Sequence, residues 1–144
     1  MSRVINPDSA GKERNHLSRA IVLAIRELMK QSKPDDHSRD LAAFIAMALA
    51  TISETIDVSV IAWEKRGYWV KAERFRMEWE WAGRLGSELR RALLSDDWAR
   101  IAATSAQVAQ KLMKIQIPER NRLGTPWEGA WAAFQKSAGQ LAQK

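Results

Sequence analysis

The stretch of sequence that decides the fold is residues 45–67, IAMALATISETIDVSVIAWEKRG. Apolar or small residues recur in it at intervals of four and three, which is the spacing of a helix face that packs along neighbouring helices. The positions of this seam are Ile45, Leu49, Ile52, Ile56, Ser59 and Trp63. The seam predicts the core helix of an all-α bundle.

The end of this helix is open to two interpretations. The apolar spacing continues in phase beyond Gly67, so residues 38–94 are compatible with one continuous helix. However, glycine readily takes the left-handed conformation that ends a helix, and Lys65 and Arg66 suit the negative end of the helix dipole. We therefore expect an antiparallel pair of helices broken at Gly67, with the continuous helix as the alternative.

The segment after this glycine carries two apolar stripes. One stripe contains Val70, Met77, Trp81 and Leu85. The other contains Tyr68, Ala72, Phe75, Trp79, Ala82, Gly86, Leu89 and Leu93. A helix with two apolar faces needs neighbours on both sides, either from the same chain or from a second copy. Glycines at positions 83 and 86 lie inside the pattern and indicate a close approach between helices.

The remaining sequence is also helical in pattern and lacks the alternation that is typical of strands. We predict a single all-α domain, built as a helical bundle of about five helices. Their approximate ranges are 9–31, 37–66, 68–94, 96–115 and 126–138. Residues 1–8 and 136–144 are expected to be poorly ordered tails, since the last residues offer little apolar surface to the core.

Residues that can cap helices mark the predicted boundaries. The candidate caps are Asp8 or Ser9 for the first helix, Asp36 or Ser38 for the second, and residues 95–97 for the fourth. The last helix has the clearest signal, because Thr125 can cap it, Pro126 suits its first position and Glu128 can reach back from the third. This pattern predicts a helix start at residue 126.

Composition sets further bounds. A chain of 144 residues can bury a core of its own, and the absence of cysteine excludes disulfides and cysteine-ligated metals. The amino terminus lacks the apolar stretch of a secretory signal, so we expect a cytoplasmic protein. The longest apolar run, residues 41–52, is shorter than the ~20 residues that span a bilayer. We therefore expect no membrane partner.

The net charge of +6 is spread along the chain and includes no basic run or tail. The cations without a helical ion-pair partner are the candidate contacts for an anion or a nucleic acid. They are Arg90, Arg91, Arg100, Lys111, Lys114, Arg120 and Arg122. A solvated basic face is the alternative interpretation, because no aromatic residue alternates with this set.

Residues 63–81 contain four of the seven tryptophans among many charges. Rings and arginines can together form a nucleic-acid platform, but here the arginines have glutamates four residues away, which favours ion pairs along the helix. Most rings fall on the two stripes, whereas Trp69 lies on the polar side and is expected to be exposed or interfacial. The candidate self-association face consists of Tyr68, Trp69, Phe75, Trp79, Leu89 and Leu93.

The sequence shows no catalytic constellation, and we assign no catalytic, cofactor or metal residues. The only histidines, His16 and His37, lack the spacing of metal ligands. Glu54, Asp57 and Glu64 lie on one side of the second helix and can in principle ligate Mg²⁺ or Mn²⁺. The second acidic motif of all-helical metal hydrolases is missing, so a solvated acidic face is the preferred interpretation.

Three hypotheses for function follow. The leading one is a non-enzymatic binding or assembly protein that self-associates, most simply as a dimer, through the aromatic-rich face. The alternative is a basic module that binds nucleic acid or an acidic protein, or a small helical subunit of a nucleic-acid complex. The third is a hydrolase that uses carboxylate-bound metal.

Overall fold

The computed structural model describes residues 6–142, with the side chains of residues 6–139. That part of the chain contains five helices and no strand, which confirms the predicted all-α bundle. The helices are α1 (Pro7–Met29), α2 (Asp36–Lys65), α3 (Trp69–Leu94), α4 (Trp98–Lys111) and α5 (Ala130–Ala142).

Helix α2 is the centre of the bundle and packs against α1, α3 and α5. Its predicted seam is buried from Ile45 to Ser59 and partly buried at Trp63. By length and composition alone α2 could also cross a membrane, a property that core helices of folded domains share. Half of its most apolar 18-residue window is buried inside the bundle.

Helices α1, α2 and α3 alternate in direction. Arg14 in the first half of α1 meets Thr55 in the second half of α2, and Trp63 at the end of α2 meets Phe75 early in α3. Helix α4 packs back on α3 and also touches α1. This is the arrangement expected of bundles with short connections.

The turn at Gly67 separates α2 from α3, so the helix is broken and not continuous. Gly67 has a φ of +83°, the left-handed conformation that glycine adopts without strain. The N–H of Tyr68 donates to the Trp63 carbonyl at 2.9 Å and the N–H of Gly67 to the Glu64 carbonyl at 3.0 Å. These two bonds form a Schellman motif and satisfy carbonyls at the end of α2.

Helix α3 ends with the same motif, built on an aspartate. Asp96 has a φ of +53°, and the N–H of Asp97 donates to the Ala92 carbonyl at 2.9 Å. The Asp97 side chain then caps α4 by accepting from the N–H of Arg100 at 3.1 Å, as the sequence predicts. The Asp96 carboxylate accepts from the indole N–H of Trp98 at 2.9 Å.

Two helices begin at caps other than the predicted ones. Asn6 caps α1 by accepting from the N–H of Asp8 at 2.9 Å, and the following proline fits the first helical position. Asp35 caps α2 by accepting from the N–H of Ser38 at 2.9 Å, and this hydrogen bond lowers the pKa of Asp35. The segments before α1 and α2 each contain several residues that can cap a helix. In both segments the residue that caps the helix lies earlier in the chain than the predicted ones.

Helix α5 starts later than predicted. Residues 126–129 form a turn, and Gly129 has a φ of +78°, so the helix begins at Ala130 and Thr125 does not cap it. Its capping group is distant in sequence: the Asp40 carboxylate of α2 accepts from the N–H of Trp131 at 2.9 Å.

The two predicted tails overlap the first and last helices. Residues 136–142 are helical in α5, and α1 already includes residues 7 and 8. Residues 1–5 and 143–144 lie outside the described part of the chain.

Helix α4 is much shorter than α3, with 14 residues against 26, and ends before the predicted residue 115. At 1.5 Å per residue the two helices are ~21 and ~39 Å long. Since the turn at Asp96 brings α4 back along the carboxyl-terminal half of α3, the other half has no α4 beside it. In that other half Lys71, Arg74 and Glu78 are exposed, whereas Trp81 and Leu85 further along α3 are buried.

Two glycines allow α3 to lie close to α2, as the sequence indicates. A Cβ added to Gly86 would lie 3.0 Å from the Cβ of Leu49, and one added to Gly83 would lie 3.0 Å from the Oγ of Ser53. Such contacts are shorter than side chains normally make, so a larger residue at Gly86 requires a shift at Leu49, whereas one at Gly83 requires a shift of the Ser53 hydroxyl.

Candidate interaction surface

The amino-terminal half of α3, which has no α4 beside it, is called the open half here, and the aromatic residues of α2 and α3 form a row along it. Trp63 and Phe75 meet edge to face, with ring centres 4.8 Å apart. Phe75 lies 6.4 Å from Trp79, and Trp79 stacks on Trp81 at 5.7 Å. The row holds α2 and α3 together where α4 is absent, and it leaves Phe75 and Trp79 partly buried.

Two cations lie over the faces of this row. The guanidinium of Arg14 lies 4.7 Å from the centre of Phe75 and 5.8 Å from that of Trp79, and it donates to the Thr55 hydroxyl at 3.3 Å. Burial lowers the pKa of Arg14, and the charge of nearby Glu78 opposes this shift. Lys71 covers Trp63 with its ammonium group 4.6 Å from the ring centre.

The ring faces that these cations cover are not available for stacking on bases. The aromatic row is therefore mainly a packing element of the chain itself.

The other residues of the candidate self-association face have contrasting environments. Tyr68 and Trp69 are exposed, with 55% and 63% of their surface open to solvent, as predicted for Trp69. Leu89 and Leu93 are instead buried in the core of the same chain. We therefore remove both leucines from the face, because helices of one chain already cover them.

Three further apolar residues within nine positions of Tyr68 or Trp69 in the sequence are exposed, although their pattern does not mark them as surface. They are Ile61, Val70 and Met77, which are 51%, 67% and 71% exposed. The stripe that Val70 and Met77 share with Trp81 predicted packing for all its members. The signal that could have separated them is the predicted length of the fourth helix, which is already shorter than the third.

We call residues 61–77 the hairpin end. This segment contains five of the eight large apolar residues that are exposed in the described part of the chain. The other three, Met29, Leu94 and Met113, are scattered over α1, α3 and the segment after α4. Single exposed apolar residues are normal on a protein surface, whereas a concentration of them indicates a contact region.

The candidate anion contacts fall into separate groups. Arg90, Arg91 and Arg100 lie within about two helical turns of the α3–α4 turn. Lys111 and Lys114 lie at the far end of α4, ~16 Å or more from Arg100 at 1.5 Å per residue. Arg120 and Arg122 are exposed in the segment between α4 and α5.

Two members of the first group have partners in the chain. The guanidinium of Arg90 lies 6.0 Å from the ring centre of Phe134, and Arg100 pairs with Asp97 at 4.0 Å. These contacts leave the group less able to bind an external anion than its sequence suggests.

The structure offers the metal hypothesis no support among the described residues. No group of three histidine or acidic side chains within residues 6–139 could hold a metal ion. Glu54 and Asp57 are exposed, whereas Glu64 pairs with Arg76 of α3 at 3.8 Å. His16 and His37 are both exposed.

The comparisons with known proteins add no identification. No family model matches the sequence, and no curated protein and no solved structure matches it either. The class of the protein therefore rests on its own fold, an all-α bundle with five helices in the described residues 6–142.

Proposed function

We propose that this chain is a non-enzymatic binding and assembly protein whose contact surface is the hairpin end, with a second copy of the chain as the partner. The observation that carries the proposal is the concentration of exposed apolar residues between Ile61 and Met77. The short α4 leaves room for a neighbour beside this part of α3.

The contact proposed for a second copy is the exposed side of α3 formed by Trp69, Val70 and Met77, which we call the side band. Two of the arginines next to it are paired within the chain. Arg76 bonds Glu73 at 2.9 Å and Arg84 bonds Glu80 at 3.2 Å, so these pairs add no net charge to a contact with another copy. Because the side band consists of only three residues, we predict a weak dimer. Stable interfaces bury ~800 Å² on each partner.

Sedimentation equilibrium over a wide concentration range tests the proposal. We expect the 16.3 kDa chain to dimerise at high micromolar concentration, and Met77→Glu to remain a monomer with unchanged helicity and melting temperature. Met29→Glu is the matched control, because Met29 is equally apolar and exposed but lies at the opposite end of α1 from the hairpin end. A wild-type monomer at every concentration, or a Met77→Glu dimer as tight as that of the control, would contradict self-association.

Binding to nucleic acid is the second candidate, and one observation favours it. Lys12, Arg19 and Arg26 are exposed at seven-residue intervals along α1, so they share one side of that helix. None of the three forms an ion pair with a carboxylate in the described residues. Fluorescence anisotropy with duplex DNA and RNA should show salt-sensitive binding that is lost when Arg19 and Arg26 are both changed to Glu.

A further inference from the structure

The turn between α2 and α3 carries a second surface at the hairpin end, which shares only Trp69 with the side band. It consists of Lys65 and Arg66 before Gly67 and Tyr68 and Trp69 after it, and all four are exposed. We call these four residues the turn surface. It combines two aromatic rings with two positive charges at the convex end of a helical hairpin.

The charge of the turn surface is uncompensated within the described residues. Neither Lys65 nor Arg66 forms an ion pair there. The nearest acidic residues in the sequence, Glu64 and Glu73, both pair with Arg76, at 3.8 and 2.9 Å. The turn surface therefore faces outward with positive charge only.

The backbone at this end adds hydrogen-bond donors. The Schellman motif satisfies carbonyls at the end of α2, whereas α3 begins without a side-chain cap and without an acidic residue in its first turn. The first N–H groups of a helix have no partner within the helix and carry partial positive charge. Donors and cations thus meet at the same turn.

We propose that the turn surface binds a lipid bilayer that contains anionic lipids. Lys65 and Arg66 would meet the negatively charged headgroups, and Tyr68 and Trp69 would enter the interfacial layer, where these two side-chain types are favoured. Such peripheral contact needs no membrane-spanning segment. The proposal does not depend on self-association, because Met77 takes no part in it.

The same features argue against two other occupants. A second copy docked turn to turn would bring four uncompensated cations together, which is unfavourable. Single-stranded nucleic acid is usually held in a groove that follows its backbone, whereas this turn is convex. A bilayer surface suits a convex contact with aromatic and basic residues side by side.

Vesicle flotation with the full chain tests the proposal. We expect the protein to float with phosphatidylcholine vesicles that contain phosphatidylserine and not with phosphatidylcholine alone, and we expect added salt to weaken the binding. Changing Lys65 and Arg66 together to Glu should lower the vesicle partition coefficient about tenfold or more. Changing both residues to Gln should lower it by a smaller factor. Changing Tyr68 and Trp69 to Ser should also weaken binding at unchanged charge.

The controls separate this proposal from the others. Arg120→Glu with Arg122→Glu makes the same charge change in the segment before α5 and should retain most of the vesicle binding. Met77→Glu should keep vesicle binding even though it abolishes the proposed dimer. The inference would be overturned if the protein did not float with anionic vesicles at low salt. It would also be overturned if the Arg120/Arg122 control lost as much vesicle binding as the Lys65/Arg66 variant. A third contrary result is tighter binding to DNA than to vesicles, with the same dependence on Lys65 and Arg66.

Discussion

The two halves of α3 are both rich in large apolar residues but lie in opposite surroundings. The carboxyl-terminal half packs between α2 and α4, with Leu85 and Leu89 almost fully buried. The amino-terminal half extends past the end of α4 and exposes Trp69, Val70 and Met77. The difference shows that the length of the neighbouring helix decides which apolar residues of α3 become core and which become surface.

The largest expected effect is on stability, and it should differ between an apolar residue in one half of α3 and one in the other half. Leu89→Ala should lower the free energy of unfolding by ~2–5 kcal/mol, because it leaves a cavity in the buried core of the bundle. Val70→Ala should change it by less than ~0.5 kcal/mol, as expected for an exposed site. Urea denaturation followed by circular dichroism measures both values, and similar losses at the two sites would remove the distinction between the halves.

A second prediction concerns the close approach of α3 to α2 in the buried half. Gly86→Val should destabilise the protein by roughly 1–3 kcal/mol, because the new side chain meets Leu49 and forces the helices apart. Gly139→Val is the control, since nothing lies within 4 Å of a Cβ at that glycine, and it should change stability by under ~0.5 kcal/mol. Thermal unfolding compares the two, and equal melting temperatures would show that the helices are not in close contact.

The turn that begins the open half gives a third prediction. Gly67→Ala should lower the free energy of unfolding by ~1–2 kcal/mol. Alanine is strained at the left-handed φ of +83°, although nothing lies within 4 Å of a Cβ at this position. The measurement is again the free energy of unfolding in urea. A stabilising effect would mean that α2 and α3 can join into one helix, which was the alternative from sequence.

The smallest effect is expected in the aromatic row of the open half. Arg14→Met keeps much of the packing but removes the charge over Phe75 and Trp79. It should lower the free energy of unfolding by ~0.5–1 kcal/mol. Lys12→Met is a matched control on the exposed side of α1 and should be neutral. A stabilised Arg14→Met variant would show that partial burial of the cation outweighs its contacts with the rings.

Much of the fold could be predicted because it depends on local patterns. The seam of α2 and the break at Gly67 follow from helical spacing and from the conformational freedom of glycine. The start of α5 could not be predicted, since its cap is Asp40, which is 91 residues from Trp131 in sequence. The sequence also could not predict that Asn6 and Asp35 are the caps, because neighbouring residues have side chains that can cap a helix in the same way.

The candidate surface was predictable only in part. Exposure of Trp69 follows from its position on the polar side of α3. Burial of Leu89 and Leu93 within one chain could not be inferred, because an apolar stripe does not reveal whether its neighbour belongs to the same molecule. The exposure of Val70 and Met77 depends on where α4 ends, and the sequence predicts that end four residues too late.

Hydroxyl-radical footprinting at low and high protein concentration tests the central claim most directly, that the open half of α3 is a contact surface. In dilute solution we predict rapid oxidation of Trp69 and Met77 and protection of buried Trp81. At high concentration Trp69 and Met77 should become protected, while exposed Met29 and Met113 react as before. Oxidation of Trp81 as fast as that of Trp69, or no change at Trp69 and Met77 with concentration, would contradict the account.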